Sequence, residues 1–365
     1  MWWIVIGSAS IYGLYYVLIS VFYRGWKKIA VFVPKGDEVI RIKISVIVAC
    51  RNEKNHILQL ISCLAQQSFQ NFELIIVNDH SVDATRNYIK SAQETYPKIQ
   101  LVDAVGNGKK NGLIEGINIS TGELIITTDA DCMPSYHWLE SIACFYEKNP
   151  ADLIICPVKF SGKDNLFSNL QALEFTSLIA SGGGAAGAGM PVMCNGANLA
   201  FTKKSWMDSR AGLHMEEMSG DDMFLLENIK KRKGVIRFLK SESAFVTTQP
   251  SGTLTEFIKQ RRRWTSKSPA YTDWQIIFTA GVVFSVNMVL VALLTLSFFY
   301  PACFMVFATL FLAKYLLDAL FLNSVRTFFQ LNNVWMYSFL LSVFYPFYIV
   351  FIAFSSLLLK PVKWK

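Results

Sequence analysis

The sequence predicts an α/β fold, a doubly wound and largely parallel sheet, set between membrane-associated helices. Three observations predict it. From residue 44 to about 158, short apolar, β-branched runs alternate with segments of helical periodicity, the pattern of parallel strands covered by helices. Polar signatures close those runs, where such sheets bind their ligands. The chain of 365 residues is also 52% hydrophobic, with a mean hydropathy of +0.33, and the apolar excess lies at its two ends.

Trp2 to Tyr23 is an uncharged apolar run. About 20 helical residues cross a hydrocarbon core about 30 Å thick, so residues 1–24 are expected to form a transmembrane anchor. A signal peptide is the alternative, but no basic stretch precedes the run and no small-residue cleavage site follows it. Arg24, Lys27 and Lys28 come directly after, as on a cytoplasmic flank.

Ile44 to Ala49 reads as the first strand, closed by CRNE at Cys50 to Glu53. Helical periodicity runs from Glu53 to Gln67. Phe72 to Val77 is the second strand and Asp83 to Gln93 the next helix. Ile99 to Val102, Leu124 to Thr127 and Leu153 to Val158 are further strands. Residues 40–270 form the expected cytoplasmic domain, ample for one α/β core.

Asn165 to Ala180 reads as an amphipathic helix running into SGGGAAGAG, Ser181 to Gly189. This tract is a flexible loop, or backbone that approaches an acceptor or the membrane where side chains would obstruct. A contact between membrane helices is the less favoured reading, since consecutive glycines weaken a helix. Thr253 to Trp264 is a basic amphipathic helix with a capping box at Thr253 and Glu256, suited to a membrane interface.

Residues 275–360 hold three more apolar segments: Ile276 to Phe299, Cys303 to Leu322 and Val334 to Leu359. Lys314 and Asp318 share one helical face and can pair. They are a structural ion pair setting helix packing, or part of an acceptor pocket wall. Three full crossings after a cytoplasmic domain put Lys360, Lys363 and Lys365 outside, against the positive-inside tendency. One tail segment is then re-entrant or interfacial.

The formal net charge is +8 and the pI about 9.0. Basic residues cluster at membrane flanks and at Lys230 to Lys233, which suits a membrane surface and a nucleotide phosphate better than DNA. The sequence carries no nucleic-acid motif. Seven cysteines without a CxxC pair fit reduced thiols, not a disulfide framework or zinc site.

Four signatures carry chemistry. TTDAD, Thr127 to Asp131, sets two carboxylates two residues apart at a strand end. Such oxygens suit Mg²⁺ or Mn²⁺, which neutralises a departing diphosphate. In VNDHSVD, Asp79 is placed to accept hydrogen bonds from a nucleobase or ribose, His80 is a loop residue, and Asp83 starts the next helix. Glu53 touches the nucleoside or only steadies the helix that follows it. GNGKKNG at Gly106 to Gly112 lacks P-loop spacing; Lys109 or Lys110 meets phosphate or nucleoside, or the two form a solvated pair. SGDD, Ser219 to Asp222, offers a carboxylate able to take a proton from an attacking hydroxyl. QRRRW, Gln260 to Trp264, closes the set beside the apolar tail.

The ordered set resembles the membrane-bound family-2 glycosyltransferases over about residues 40 to 270. The resemblance implies a GT-A fold and direct displacement with inversion. It makes Asp79 the nucleobase aspartate and Lys109 the lysine of the usual GK segment. Asp129 and Asp131 become the DxD pair, with Asp131 the direct metal ligand. CNGANLAF, Cys194 to Phe201, is similar to the segment near the acceptor. Asp222 matches the base that ends the usual ED motif, Asp221 standing where Glu is commoner. Gln260, Arg263 and Trp264 match QxxRW, which in the family lines the acceptor entrance and helps hold the diphosphate. Arg forks onto phosphate oxygens and Trp offers an apolar face.

The implied donor is a nucleotide sugar, with UDP as the family expectation. The implied location is multi-pass in a bacterial cytoplasmic (inner) membrane. Two acceptors compete. A membrane lipid takes one sugar, as in ceramide glucosyltransferase-like members, or a growing polysaccharide is extended and secreted. About four hydrophobic segments are few for a secretion channel, which favours the lipid. A dead, sugar-nucleotide-binding membrane protein would have lost its base or metal ligand, and Asp131 and Asp222 are both present.

Overall fold

The computed structural model of the protein describes residues 2–35, 40–161, 165–212 and 220–358. Ser219, the first residue of SGDD, and Lys360, Lys363 and Lys365 lie outside them. The strands are β1 (Ile44–Cys50), β2 (Phe72–Asn78), β3 (Ile99–Asp103), β4 (Leu124–Thr127), β5 (Met133–Pro134), β6 (Leu153–Ile155), β7 (Val158–Phe160), β8 (Leu199–Thr202), β9 (Ile236–Phe238) and β10 (Val246–Thr248). The helices of the first half are α1 (Trp2–Lys28), α2 (Ile57–Ala65), α3 (Thr85–Thr95), α4 (Lys109–Ile119), α5 (Trp138–Lys148) and α6 (Leu166–Gly187). Those of the second are α7 (Lys203–Ser209), α8 (Asp221–Lys231), α9 (Leu254–Thr265), α10 (Trp274–Ser297), α11 (Ala302–Phe329) and α12 (Val334–Leu358).

The chain divides into two compact units. One, residues 29–161 and 193–249, is α/β; the other, residues 1–28, 162–192 and 250–362, is helical. The α/β unit holds a seven-stranded sheet in the order β3-β2-β1-β4-β8-β6-β9 and a small sheet β5-β10-β7. β1 is buried at every residue because it lies between β2 and β4 with both faces covered, which is why it reads as a continuous apolar run. Its register pairs Cys50 with Asn78 and Ile47 with Thr127. The carboxyl ends of β1, β2 and β4 therefore bring CRNE, VNDHSVD and TTDAD to one edge. β8 alone is antiparallel to its neighbours β4 and β6; the other pairings of this sheet are parallel.

Two expected elements differ. Leu153 to Val158 is two strands in different sheets, divided at Cys156 and Pro157. Proline has no ladder donor, so the strand stops and the chain changes sheets. The helix expected from Glu53 begins at Ile57; Glu53 instead holds the entry turn, its carbonyl accepting from the Ile57 N–H at 2.9 Å.

Among the described residues of the helical unit, four helices are long and apolar enough to cross a membrane: Ile6–Lys28, Trp274–Ser297, Ala302–Phe329 and Val334–Ser356. All three C-terminal members thus have the length of a full crossing. Trp26 packs on Phe328 and Phe329, with centroids 5.4 and 5.8 Å apart. The basic end of α1 and the α11–α12 turn therefore share one end of this unit.

SGGGAAGAG is not a loop. Gly182 to Gly187 continue α6, and α6 lies directly on α1. A Cβ at Gly184 would stand 2.3 Å from the carbonyl oxygen of Phe22, and one at Gly25 would stand 1.9 Å from that of Gly184. Backbone meets backbone here, so only glycine fits. Close packing of this kind offsets the helix cost of glycine, as between membrane helices. Lys314 and Asp318 pair at 2.6 Å, and the Tyr15 hydroxyl donates to Asp318 at 2.6 Å, tying α11 to α1. The pair holds helices together, in line with the structural reading.

Candidate active site

TTDAD leaves β4 and turns sharply, with Cys132 N–H donating to the Asp129 carbonyl at 3.1 Å. The turn gathers the carboxylates of Asp129 and Asp131 and the thiol of Cys132 within 4.8 Å of one another. Two half-buried carboxylates fit a hard divalent cation. The thiol fits less well, since hard cations take oxygen ligands; burial, with both aspartates adding, pushes Cys132 well above the ordinary cysteine range.

Lys109 opens α4 and its Nζ lies 2.5 Å from Asp129 Oδ1. Gly108 makes this start possible, since it caps the helix with φ of 91°, a conformation that favours glycine. Burial pulls the Lys109 ammonium down, but Asp129, Asp221 and Asp222 outweigh it and hold its pKa above the ordinary lysine value. Lys109 and these three aspartates thus form one electrostatic neighbourhood. Lys110 is buried over the Phe224 ring at 5.2 Å. The two lysines are not a solvated pair.

Asp221 and Asp222 begin α8 after Gly220, which takes φ of 94°. Asp222 Oδ2 accepts from Gly196 N–H at 3.0 Å and Oδ1 from Met223 N–H at 2.8 Å. Gly196 in turn accepts at its carbonyl from Thr127 Oγ1 at 2.9 Å. The CNGANLAF segment therefore links the end of β4 to the Asp222 carboxylate. Asp221 is buried, so this is not an exposed acidic loop.

Asp79, fully buried, is a hub. Its Oδ2 accepts from Gly108 N–H at 3.1 Å and lies 3.8 Å from Arg51; its Oδ1 lies 3.0 Å from His80 Nδ1. His80 sits in the loop as expected, with φ of 54°. Glu53 pairs with His56 at 3.0 Å and sits at the entry to α2. Asp83 accepts from Thr85 N–H at 3.0 Å, steering the chain into α3.

The structure thus brings Lys109, Asp129, Asp131, Asp221 and Asp222 together, and joins Asp79 to them through Gly108. Gln260, Arg263 and Trp264 belong to α9 in the helical unit. The capping box of α9 is present: Glu256 N–H donates to Thr253 Oγ1 at 3.2 Å, and Thr253 N–H to Glu256 Oε2 at 3.1 Å. Sequence reasoning missed the partner of this helix. Arg261 forms a buried ion pair with Glu174 of α6. The signal was a lone acid in an otherwise uncharged helix.

Residues 45–203 match the model of the family described as Glycosyl transferase family 2. An uncharacterized glycosyltransferase of Haemophilus influenzae is 31% identical over 107 residues, which cover 29% of this chain and 33% of that protein. The poly-beta-1,6-N-acetyl-D-glucosamine synthase of Staphylococcus epidermidis is 29% identical over 143 residues, covering 37% of this chain and 33% of the synthase. The chain thus spans about a third of the length of these relatives. Among solved structures, a mannosyltransferase from Pyrobaculum calidifontis, in complex with GDP-Man and Mn²⁺, superposes with a TM-score of 0.63 at 16% identity, covering 97% of this chain and 98% of that one. The fold is the GT-A fold.

Proposed function

We propose that this chain, which carries a family-2 glycosyltransferase domain over residues 45–203, moves a sugar from a nucleotide-sugar donor to a membrane lipid at the cytoplasmic face of a bacterial inner membrane. One observation carries the reading. Half-exposed carboxylates and a lysine converge at a sheet edge, in a chain with four helices able to cross a membrane.

In this reading Asp222 takes the proton of the acceptor hydroxyl as it attacks the anomeric carbon. The two backbone N–H groups that hold its carboxylate keep it aimed. Asp131, with Asp129 beside it, holds Mg²⁺ or Mn²⁺, which when bound neutralises charge on the departing diphosphate. Lys109 keeps Asp129 in place. Asp79 and Glu53 shape the nucleoside end of the donor site. Gln260, Arg263 and Trp264 serve the acceptor and the diphosphate. An α-linked donor attacked in line gives a β-glycoside.

A second reading, extension of a β-linked polysaccharide, is favoured by the similarity to the Staphylococcus epidermidis synthase. The test uses membranes containing the full chain, with Asp222→Asn membranes as control. A panel of radiolabelled UDP and GDP sugars is supplied with native lipids, and products are partitioned. Label in the organic phase, absent from the control, supports the lipid acceptor. Label in a high-mass, solvent-insoluble product supports the polymer, and equal label in both membranes rejects Asp222 as base.

A further inference from the structure

Within QRRRW, the resemblance treats Arg261 as a spacer. The structure buries it and gives it partners on three sides. Arg261 is 2% exposed and Glu174 3%. Arg261 Nε donates to Glu174 Oε1 at 3.2 Å and its Nη2 donates to Oε2, a two-pronged fork. Tyr348 of α12 donates to the same carboxylate at 3.3 Å. The remaining prong, Nη1, donates to Gln260 Oε1 at 2.6 Å. The face of the guanidinium lies 4.2 Å from the Trp264 ring and 4.6 Å from the Phe257 ring.

One side chain therefore touches two of the three motif residues. Arg261 occupies the oxygen of the Gln260 amide, which leaves the NH₂ as the group that can donate to a ligand. Its plane sets one side of the Trp264 ring, and Phe175 of α6 stands on that ring at 6.1 Å. A lysine at this position keeps the charge but neither the fork nor the flat face.

We propose that Arg261, anchored by Glu174, is the positioning residue of this motif, fixing the amide of Gln260 and the ring of Trp264 for transfer. The proposal rests on the reading of Gln260, Arg263 and Trp264 given above. A purely structural pair would not need to be charged, because well-packed apolar residues of similar volume usually replace a buried ion pair without loss of stability.

That contrast supplies the experiment. The full chain is compared with the Glu174→Met/Arg261→Met double variant and with Arg261→Lys, by thermal unfolding in detergent and by transfer from the radiolabelled sugar panel. The double variant should unfold near the parent temperature while turnover falls by about 10²-fold, the loss expected for a misplaced group, with the donor KM little changed. Arg261→Lys should not rescue turnover. In a Gln260→Ala/Trp264→Ala background, adding the double variant should cost less than about threefold more, since coupled residues are not additive. Parent-like turnover in either the double variant or Arg261→Lys, or losses that multiply, overturns the positioning role while leaving the motif reading intact. Parent-like turnover in Gln260→Ala/Trp264→Ala overturns the motif reading and the positioning role with it.

Discussion

The α/β unit and the helical unit use charge in opposite ways. At the sheet edge, Asp129, Asp131 and Asp222 are half-exposed; Asp222 is held by backbone N–H groups and Asp129 by one lysine. Their carboxylates remain able to meet a cation or a substrate. In the helical unit, Arg261 and Glu174 answer each other in the interior, and buried Lys314 pairs with half-exposed Asp318. Density of charge therefore does not distinguish the candidate site from a brace. What separates the two regions is burial: Arg261 and Glu174 are 2% and 3% exposed, whereas Asp129, Asp131 and Asp222 are half-exposed.

The comparison predicts that sheet-edge substitutions remove rate at constant stability, and that helical-unit substitutions act on stability or alignment. The largest effect should come from Asp222→Asn. Loss of a general base lowers turnover by about 10²–10⁴-fold, and nucleotide affinity by isothermal calorimetry should stay near the parent value. A parallel loss of affinity would merge base and binding site and weaken the contrast. Next is Asp131→Ala, which should erase the gain in nucleotide affinity that Mn²⁺ gives the parent, as EDTA should. Affinity that still rises with Mn²⁺ would move the metal to other ligands.

Gly184→Ala probes the other side. Its Cβ meets the Phe22 carbonyl at 2.3 Å, and forced separation of packed elements costs about 1–3 kcal/mol. The unfolding temperature should drop. An unchanged temperature would mean that α1 and α6 slide apart freely. The smallest effect is expected for Thr253→Ala, which removes one arm of the capping box and costs about 1 kcal/mol. The melting curve should shift slightly, with the donor KM unchanged; a shifted KM would make the cap part of the donor site.

Legibility in the sequence followed distance along the chain, not the division into units. β4 was read at its bounds, Leu124 to Thr127, because its polar ending is local. The capping box at Thr253 and Glu256 was legible for the same reason, its two halves being three residues apart. Long-range partners were not. The glycines of α6 looked like a loop because the backbone of α1 that stabilises them lies more than 150 residues earlier in the chain. Arg261 looked like a spacer because Glu174 is 87 residues away. Cys156 and Pro157 hid a change of sheet inside one apolar run, since a run reports burial but not which ladder accepts it. The sheet-edge carboxylates were named from sequence, yet the Gly196 N–H that holds Asp222 was visible only in the fold.

The chain leaves the α/β unit after residue 161, forms α6 in the helical unit, and returns at residue 193. With the passages at residues 28–29 and 249–250, the thread moves between the units four times among the described residues. The two are interlaced, not joined end to end. No single cut in the gene separates the α/β unit from the helical unit, and recombination at one point cannot graft either one onto a new partner. Change in such a chain must come by substitution in place, with both units adjusting under the same selection.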